Sequence, residues 1–250
     1  MKIDLASQVA LVTGGGRGIG RACSLTLARL GATVIINFRQ SRDAAERLEK
    51  DIVGEGGGAR AYQADVSDPL AVDAMFQFIR QEYRRLDILV NNAGIVQDTL
   101  LLSMTLQEWT SVQATNLTGA FLCTRHAVEM MLRQGGGRIV NIASASADVG
   151  GRGQTNYAAS KGGLVAFGRA GAVELARKGI RINTVLPGII ETDMSRPVRQ
   201  QAASKLLERI PARRFGRAEE VANLVAFLVS DTSDYIVGQA IAVDGGLSAS

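Results

Sequence analysis

The sequence predicts an open, doubly wound α/β fold, with one parallel sheet of about seven strands and helices on both faces. Three observations carry this expectation. Short apolar runs alternate with longer helical patterns along the 250 residues. Most of those runs are nearly continuous in Val, Ile and Leu, as parallel strands buried on both faces must be. Regular alternation of strand and helix imposes right-handed crossovers and a single sheet. The length suits one large domain, and no linker, repeat or low-complexity block divides 1–250.

The elements follow in order. QVALVT (8–13) is the first strand, and a glycine-rich turn leads from it into a helix at about 18–30. TVIINF (33–38) precedes a helix at 41–54, which GEGGGAR (54–60) ends. ARAYQA (59–64) and a helix at 69–84 come next, then LDILVN (86–91) and a long helical pattern at 105–133 that stops at QGGGR (134–138). RIVNIA (138–143) leads to a helix at 156–178, and IRINTVL (180–186) to a helix at 218–229. AIAV (240–243) closes the sheet.

Composition excludes several classes. Hydrophobic residues are 46% and charged residues 21%, an ordinary soluble balance, and the net charge of +4 is too small to argue for nucleic acid. Cys23 and Cys123 lie in apolar helical contexts, so they read as core thiols in a reducing compartment and not as a disulfide. His126 is the sole histidine, too little for a zinc site or a Ser-His-Asp hydrolase. No apolar run reaches the ~18 residues of a membrane helix. The opening MKIDLASQVALVTGGG runs straight into a strand pattern without a charged leader, so the expectation is a cytoplasmic protein with no membrane partner.

In an open parallel sheet, ligands bind beyond the carboxyl ends of the strands. After strand one stands TGGGRGIG, with Gly14, Gly16, Gly18, Ile19 and Gly20. Such a turn lets backbone N–H groups and a helix N-terminus approach a pyrophosphate. After strand two, INFRQSR offers Arg39 and Arg42 and no carboxylate before Asp43. A 2′-phosphate requires positive charge, which Arg17 and Arg39 are placed to supply, so NADP(H) is the expected cofactor. Arg42 reads equally well as a solvated loop arginine.

Further along, TNYAASK (155–161) sets Tyr157 four residues before Lys161, on one helix face. The lysine's charge is expected to lower the tyrosine's pKa and ready it for proton exchange with an alcohol or carbonyl oxygen.

TGxxxGIG followed far downstream by YxxxK resembles the short-chain dehydrogenase/reductase family, and the likeness extends over essentially the whole chain to DYIVGQAIAVDGG. The resemblance implies a Rossmann fold, an oxidoreductase and a set of site residues. Ser144, thirteen residues before Tyr157, stands where the family's catalytic serine occurs, with Ser146 the competing choice. Asn116, in QATNLTGAF, matches the family's helix asparagine, whose backbone helps hold a water that relays protons to the lysine. Tyr157 and Lys161 complete the catalytic set, and Lys161 also holds the nicotinamide ribose. Asp65 and Val66 stand where the family meets adenine, although DVSDP could equally be a helix cap. Asn92, Ala93 and Gly94 belong to NNAG (91–94), beside the ribose. Pro187, Gly188, Ile190 and Thr192 lie in PGIIETDM, which meets the carboxamide and phosphates. No metal is implied.

Within the family the chain is similar to members that reduce 3-oxoacyl thioesters on acyl carrier protein or CoA, as in fatty-acid or polyketide-type synthesis, with NADPH. The alternatives are an alcohol, sugar or ketone dehydrogenase of the same family, and a non-catalytic NADP-binding regulatory protein, which an intact Ser-Tyr-Lys set disfavours. Residues 189–217 read as a substrate lid, basic over 195–217 with Arg196, Arg199, Lys205, Arg209, Arg213, Arg214 and Arg217 against Glu208. Arg133, Arg138 and Lys178 add further charge near helix ends. An acidic acyl carrier protein would be drawn to such a surface, and a solvated face with internal ion pairs is the competing expectation. The resemblance also implies a homotetramer.

Overall fold

A computed structural model describes residues 3–249. Met1, Lys2 and Ser250, the ends of the expected 1–250 domain, lie outside the described residues. Seven parallel strands form one sheet in the order β3-β2-β1-β4-β5-β6-β7. They are β1 (Val9–Val12), β2 (Thr33–Phe38), β3 (Gly58–Gln63), β4 (Ile88–Asn91), β5 (Gly137–Ile142), β6 (Ile180–Pro187) and β7 (Ala240–Val243). Each lies within two residues of its predicted span.

The alternation of side chains along each strand builds two hydrophobic layers. Ala10, Val12, Val34, Ile36, Ile88, Val90, Val140 and Ile142 face one side, against α1 (Gly18–Arg29), α2 (Arg42–Gly54) and α9 (Ala218–Val229). Leu11, Ile35, Leu89, Ile139 and Ile182 face the other, against α3 (Pro69–Glu82), α5 (Gly119–Gln134) and α7 (Thr155–Leu175). Each fully buried aliphatic side chain contributes about 2 kcal/mol of transfer free energy, so the sheet is held from both faces.

Three regions depart from the predicted pattern. The helical stretch from 105 is not one continuous α-helix: α4 (Leu106–Gln113) passes through a π-helical turn at Ala114–Thr118 before α5 begins. Gly119 lets this turn press against α3's approach, because a Cβ there would stand 2.8 Å from Val66 Cγ2. Residues beyond Pro187, expected only as a lid, carry a helix, α8 (Arg196–Arg209), with a break at Ala202 and none of its residues buried. The bonds Gly216 N–H to Ile189 O (3.0 Å) and Glu191 N–H to Gly216 O (2.8 Å) pin the two ends of this excursion together. A short α6 (Ser146–Val149) also follows β5.

Among the described residues no helix is long and apolar enough to cross a membrane, and no cluster of His, Cys, Asp and Glu could hold a metal. Cys23 and Cys123 are buried free thiols, and burial pushes each up to about 12.

Candidate active site at the switch point of the sheet

Strand order reverses between β1 and β4, and the crevice this opens beyond their carboxyl ends is a cleft of about 830 Å³. Every residue singled out in the sequence for cofactor contact lines it except Gly20, which stands behind the turn, and Asn116 lies behind the wall beside Lys161.

The glycine turn is held from three sides. Gly20 is required by close approach, because a Cβ there would fall 2.2 Å from the Gly14 carbonyl oxygen and 2.5 Å from Asn92 Nδ2. Asn92 Nδ2 donates to the carbonyl oxygens of Thr13 (2.9 Å) and Gly14 (3.1 Å). Thr13 Oγ1 accepts from the N–H groups of Asn92 (2.9 Å) and Ala93 (3.0 Å). Buried Asn37, at the end of β2, accepts from Gly14 N–H (3.3 Å) and donates to Ala64 O (3.0 Å). Sequence reasoning gave neither Thr13 nor Asn37 a role, although a polar residue ending an apolar strand was the available signal. The first turn of α1 holds no acid and opens at Arg17, which is exposed, so a phosphate fits there.

At the end of β2, Arg39 lies 3.5 Å from Asp65 Oδ2. Burial works against the Asp65 carboxylate, but the Ser67 hydroxyl and N–H, with the Arg39 guanidinium, outweigh it and hold its pKa low. The cap of α3 is Asp68, which accepts from Leu70 N–H at 2.9 Å, so Asp65 remains at the cleft. Arg42 opens α2 instead of lying in a loop, and is engaged by Glu46 and Gln63 as a structural surface arginine would be.

At the other end of the cleft stand Ser144, Tyr157 and Lys161. Lys161 Nζ donates to Ile142 O at 2.8 Å and lies 5.8 Å from the centre of the Tyr157 ring. Burial pushes the lysine down to about 8. The expected lowering of the tyrosine by this lysine is not found in the free protein. Burial raises the Tyr157 pKa, the hydrogen bond with Ser144 opposes the rise, and the charge of Asp98 adds to it. The physical reason is that burial penalises the charged phenolate more than the Ser144 hydrogen bond favours it. Ser144, not Ser146, is the serine bonded to Tyr157; Ser146 N–H donates to Ser144 Oγ at 3.1 Å, and Ser146 Oγ donates to Gln154 Oε1 at 3.3 Å.

Asn116 sits in the π turn, its side chain occupied: Oδ1 accepts from Ile95 N–H (2.8 Å) while Nδ2 donates to Ile95 O (3.1 Å) and Ser160 Oγ (3.0 Å). π turns recur at functional sites because they shift one residue out of helical register. Gly94 permits the close approach of loop and helix, since a Cβ there would lie 3.3 Å from Asn116 Oδ1 and 3.5 Å from Lys161 Nζ.

The basic segment is partly paired with acids that flank it. Arg214 bonds Glu220 twice (2.8 and 2.6 Å), Arg196 pairs with Asp193, and Arg199 reaches Thr192 O (3.2 Å) and the Phe215 ring. Beyond it, Arg138 pairs with Asp231 and Asp234, and Arg133 with Glu129. Internal pairing therefore accounts for only part of the charge counted in the sequence.

Against known proteins, a family model described as enoyl-(acyl carrier protein) reductase matches residues 14–248. The chain belongs to the short-chain dehydrogenase/reductase family. It is 46% identical over 244 residues to a 3-oxoacyl-[acyl-carrier-protein] reductase of Synechocystis sp., covering 97% of this chain and 98% of that one. It is 44% identical to the enzyme of that name from Staphylococcus aureus (96% and 98% covered) and 41% to that from Escherichia coli (98% and 99%). Among solved structures, a candidate gluconate dehydrogenase from Agrobacterium tumefaciens superposes with a TM-score of 0.96 at 34% identity, covering 100% of this chain and 99% of that one. A candidate NAD(P)-dependent gluconate 5-dehydrogenase from Beutenbergia cavernae, with NADP bound at low occupancy, superposes at 0.95 with 38% identity and full coverage of both chains. The chain is thus an oxidoreductase of this family, with its Rossmann fold.

Proposed function

We propose that the protein is a cytoplasmic reductase that converts a 3-oxoacyl thioester, carried on acyl carrier protein or CoA, to the 3-hydroxyacyl thioester with NADPH. The observation that carries this reading is the meeting of Ser144, Tyr157 and Lys161 at one end of a cleft whose other end presents Arg17 and Arg39. The relatives at 41–46% identity are named as 3-oxoacyl-[acyl-carrier-protein] reductases.

The glycine turn and the N-terminus of α1 would hold the pyrophosphate, Arg17 and Arg39 the 2′-phosphate, and Asp65 with Val66 the adenine. Asn92, Ala93, Gly94 and Lys161 would hold the ribose, and Pro187, Gly188, Ile190 and Thr192 the carboxamide and phosphate side. When bound, NADPH supplies a hydride to the 3-carbonyl carbon. Tyr157 donates the proton to the carbonyl oxygen, and its raised pKa keeps it in the donor form at neutral pH. Ser144 donates a hydrogen bond to the same oxygen as charge develops there. With one lone pair of Ser144 Oγ taken by Ser146 N–H, its own hydrogen is free to point at Tyr157 or the substrate. Lys161, with a pKa of about 8, can return a proton to Tyr157, and the π turn at Asn116 frees backbone toward a proton-relaying water.

Residues 189–217 would close over the substrate as a lid hinged where Ile189–Glu191 meets Gly216. An acidic carrier protein would meet Lys205, Arg209 and Arg213, basic side chains of the segment left outside the ion pairs above. The exposed apolar residues Leu101, Leu102, Leu106, Phe121 and Val173 suit burial in the homotetramer usual for this family. The test is NADPH oxidation with acetoacetyl-CoA, repeated with NADH: turnover preferring NADPH is expected. Absence of turnover with NADPH still bound would favour the second reading, a sugar or alcohol dehydrogenase, which the gluconate dehydrogenase likenesses support at lower identity.

A further inference from the structure

The residue before the tyrosine has no part in the site described so far, yet Asn156 is fully buried, and its two side-chain polar atoms and its backbone carbonyl are engaged. Its Oδ1 accepts from Tyr157 N–H at 2.7 Å. Its Nδ2 donates to Gln97 O at 2.9 Å. Its own carbonyl accepts from Gln113 Nε2 at 2.9 Å, from the last residue of α4 before the π turn. Asn156 therefore stands where the three segments that build the catalytic end meet: the loop after β4, the α4–π junction and the first turn of α7.

The contact with Gln97 is one rung of three. Thr99 N–H donates to Gly153 O at 2.9 Å, and Gln154 Nε2 donates to Asp98 Oδ2 at 3.2 Å. Residues 97, 98 and 99 thus meet 156, 154 and 153 in antiparallel order along the wall that faces Tyr157. Asp98 is exposed, so water competes for the middle rung, whereas the part-buried Asn156 rung is anchored by a fully buried amide. Breaking this rung would strand the buried Asn156 amide, which makes it the more costly of the two to lose. Two positions earlier, Asn116 grips Ile95 through both of its amide atoms, so two asparagines hold the same loop to α7.

A local cap on Tyr157 N–H needs only an acceptor, which Asp or Ser would provide. The donor half of the amide reaches a carbonyl 59 residues away, and that half distinguishes Asn from Asp.

We propose that Asn156 is a positioning residue of the reaction, which through Nδ2 and Gln97 O fixes Tyr157 against the loop carrying Asp98 and so sets the wall on the substrate side of the cleft. This rests on the reading of Tyr157 as proton donor, and the test separates the two.

Asn156→Asp keeps shape and acceptor but loses the donor, and Asn156→Ala loses both. Both variants are expected to lower kcat about 10-fold or more, as sub-ångström misplacement of a reacting group does, while NADPH Kd stays within about twofold. The charged and polar groups around the Tyr157 phenol are Asp98 on the loop after β4, Ser144 after β5 and Lys161 on α7. Once the wall loosens and Asp98 and the dry surroundings recede, the Tyr157 phenol should titrate nearer the ordinary value of about 10. Ultraviolet difference titration, with Tyr157→Phe as the blank, reads this without turnover. Wild-type kcat and wild-type phenol titration in Asn156→Asp would overturn the proposal and leave a local cap. Parallel losses of kcat and NADPH affinity with an unmoved phenol would overturn it as general damage. Should neither variant fold, Gln113→Leu, which removes only the donor to Asn156 O, is expected to shift kcat and the phenol in the same direction by less; no change in either would overturn it. A wild-type protein inert toward 3-oxoacyl thioesters would sink the substrate reading, while the phenol titration would still decide Asn156.

Discussion

Lys161 donates to the carbonyl oxygen of Ile142 at 2.8 Å, while its ammonium nitrogen lies 5.8 Å from the centre of the Tyr157 ring. The lysine is anchored to the end of β5 and sits beneath the tyrosine without bonding it. Its ordinary pKa of 10.5 falls to about 8 on burial. Between those values the unfolded chain holds a proton that the folded protein has released, so this group's contribution to stability rises with pH. Wild type should therefore gain on Lys161→Met by as much as about 3 kcal/mol between pH 7.5 and 10.5. Urea unfolding of both proteins at the two pH values checks this, and a constant difference would show that the lysine titrates normally.

Tyr157→Phe removes the phenol with little change in shape. Turnover should fall by about 10²–10⁴-fold, the usual worth of a positioned proton donor, with NADPH binding retained. Steady-state kinetics and cofactor titration read the two quantities separately. Wild-type turnover would remove Tyr157 from the mechanism.

Arg39 stands at the end of β2 with Asp65 as its present partner. Arg39→Ala should weaken NADPH by about 10-fold or more, one charge-assisted contact, and NADH by less than about threefold. Fluorescence titration with both cofactors decides it. Equal losses would refute a 2′-phosphate role.

Gly20→Ala would drive a methyl group to 2.2 Å from the Gly14 carbonyl oxygen, which is backbone and cannot step aside. Overpacking of this kind should cost about 1–3 kcal/mol and shift the phosphate turn. Thermal unfolding and NADPH affinity should fall together. An unchanged affinity would mean that the turn is not where the pyrophosphate rests.

Arg213 is a non-glycine residue in the left-handed region, at φ 54. Arg213→Gly should raise stability by up to about 1 kcal/mol by relieving that conformation. If the strain is tolerated because the charge meets a carrier protein, the same variant should raise KM for a carrier-bound substrate and leave KM for a small ketone unchanged. An unchanged KM for both leaves Arg213 as surface. Arg214 is unsuited to this test, because its two bonds to Glu220 hold the start of α9.

The fold was legible because Val, Ile and Leu runs of strand length, spaced by helical patterns, admit little else. Some elements and several side chains were not. α8 buries none of its residues, so no apolar stripe announces it. The π turn within 105–133 adds one residue per turn without disturbing an apolar pattern that already spans several faces. Asn37, Asp98, Gln154 and Asn156 went unassigned because a polar residue's partner can lie tens of residues away, and spacing carries no trace of it.

What the sequence by itself determined is the sheet, its parallel sense, the glycine turn and the order of Ser144, Tyr157 and Lys161, all of which follow from local periodicity and short motifs. Only the tertiary structure decided that Ser144, rather than Ser146, bonds Tyr157, that Arg39 already has Asp65 beside it, and that Lys161 donates to Ile142 O. Local propensity acts between neighbours in the chain. Electrostatic state and partner choice depend on burial and on groups brought together from distant strands, and those exist only once the chain has folded.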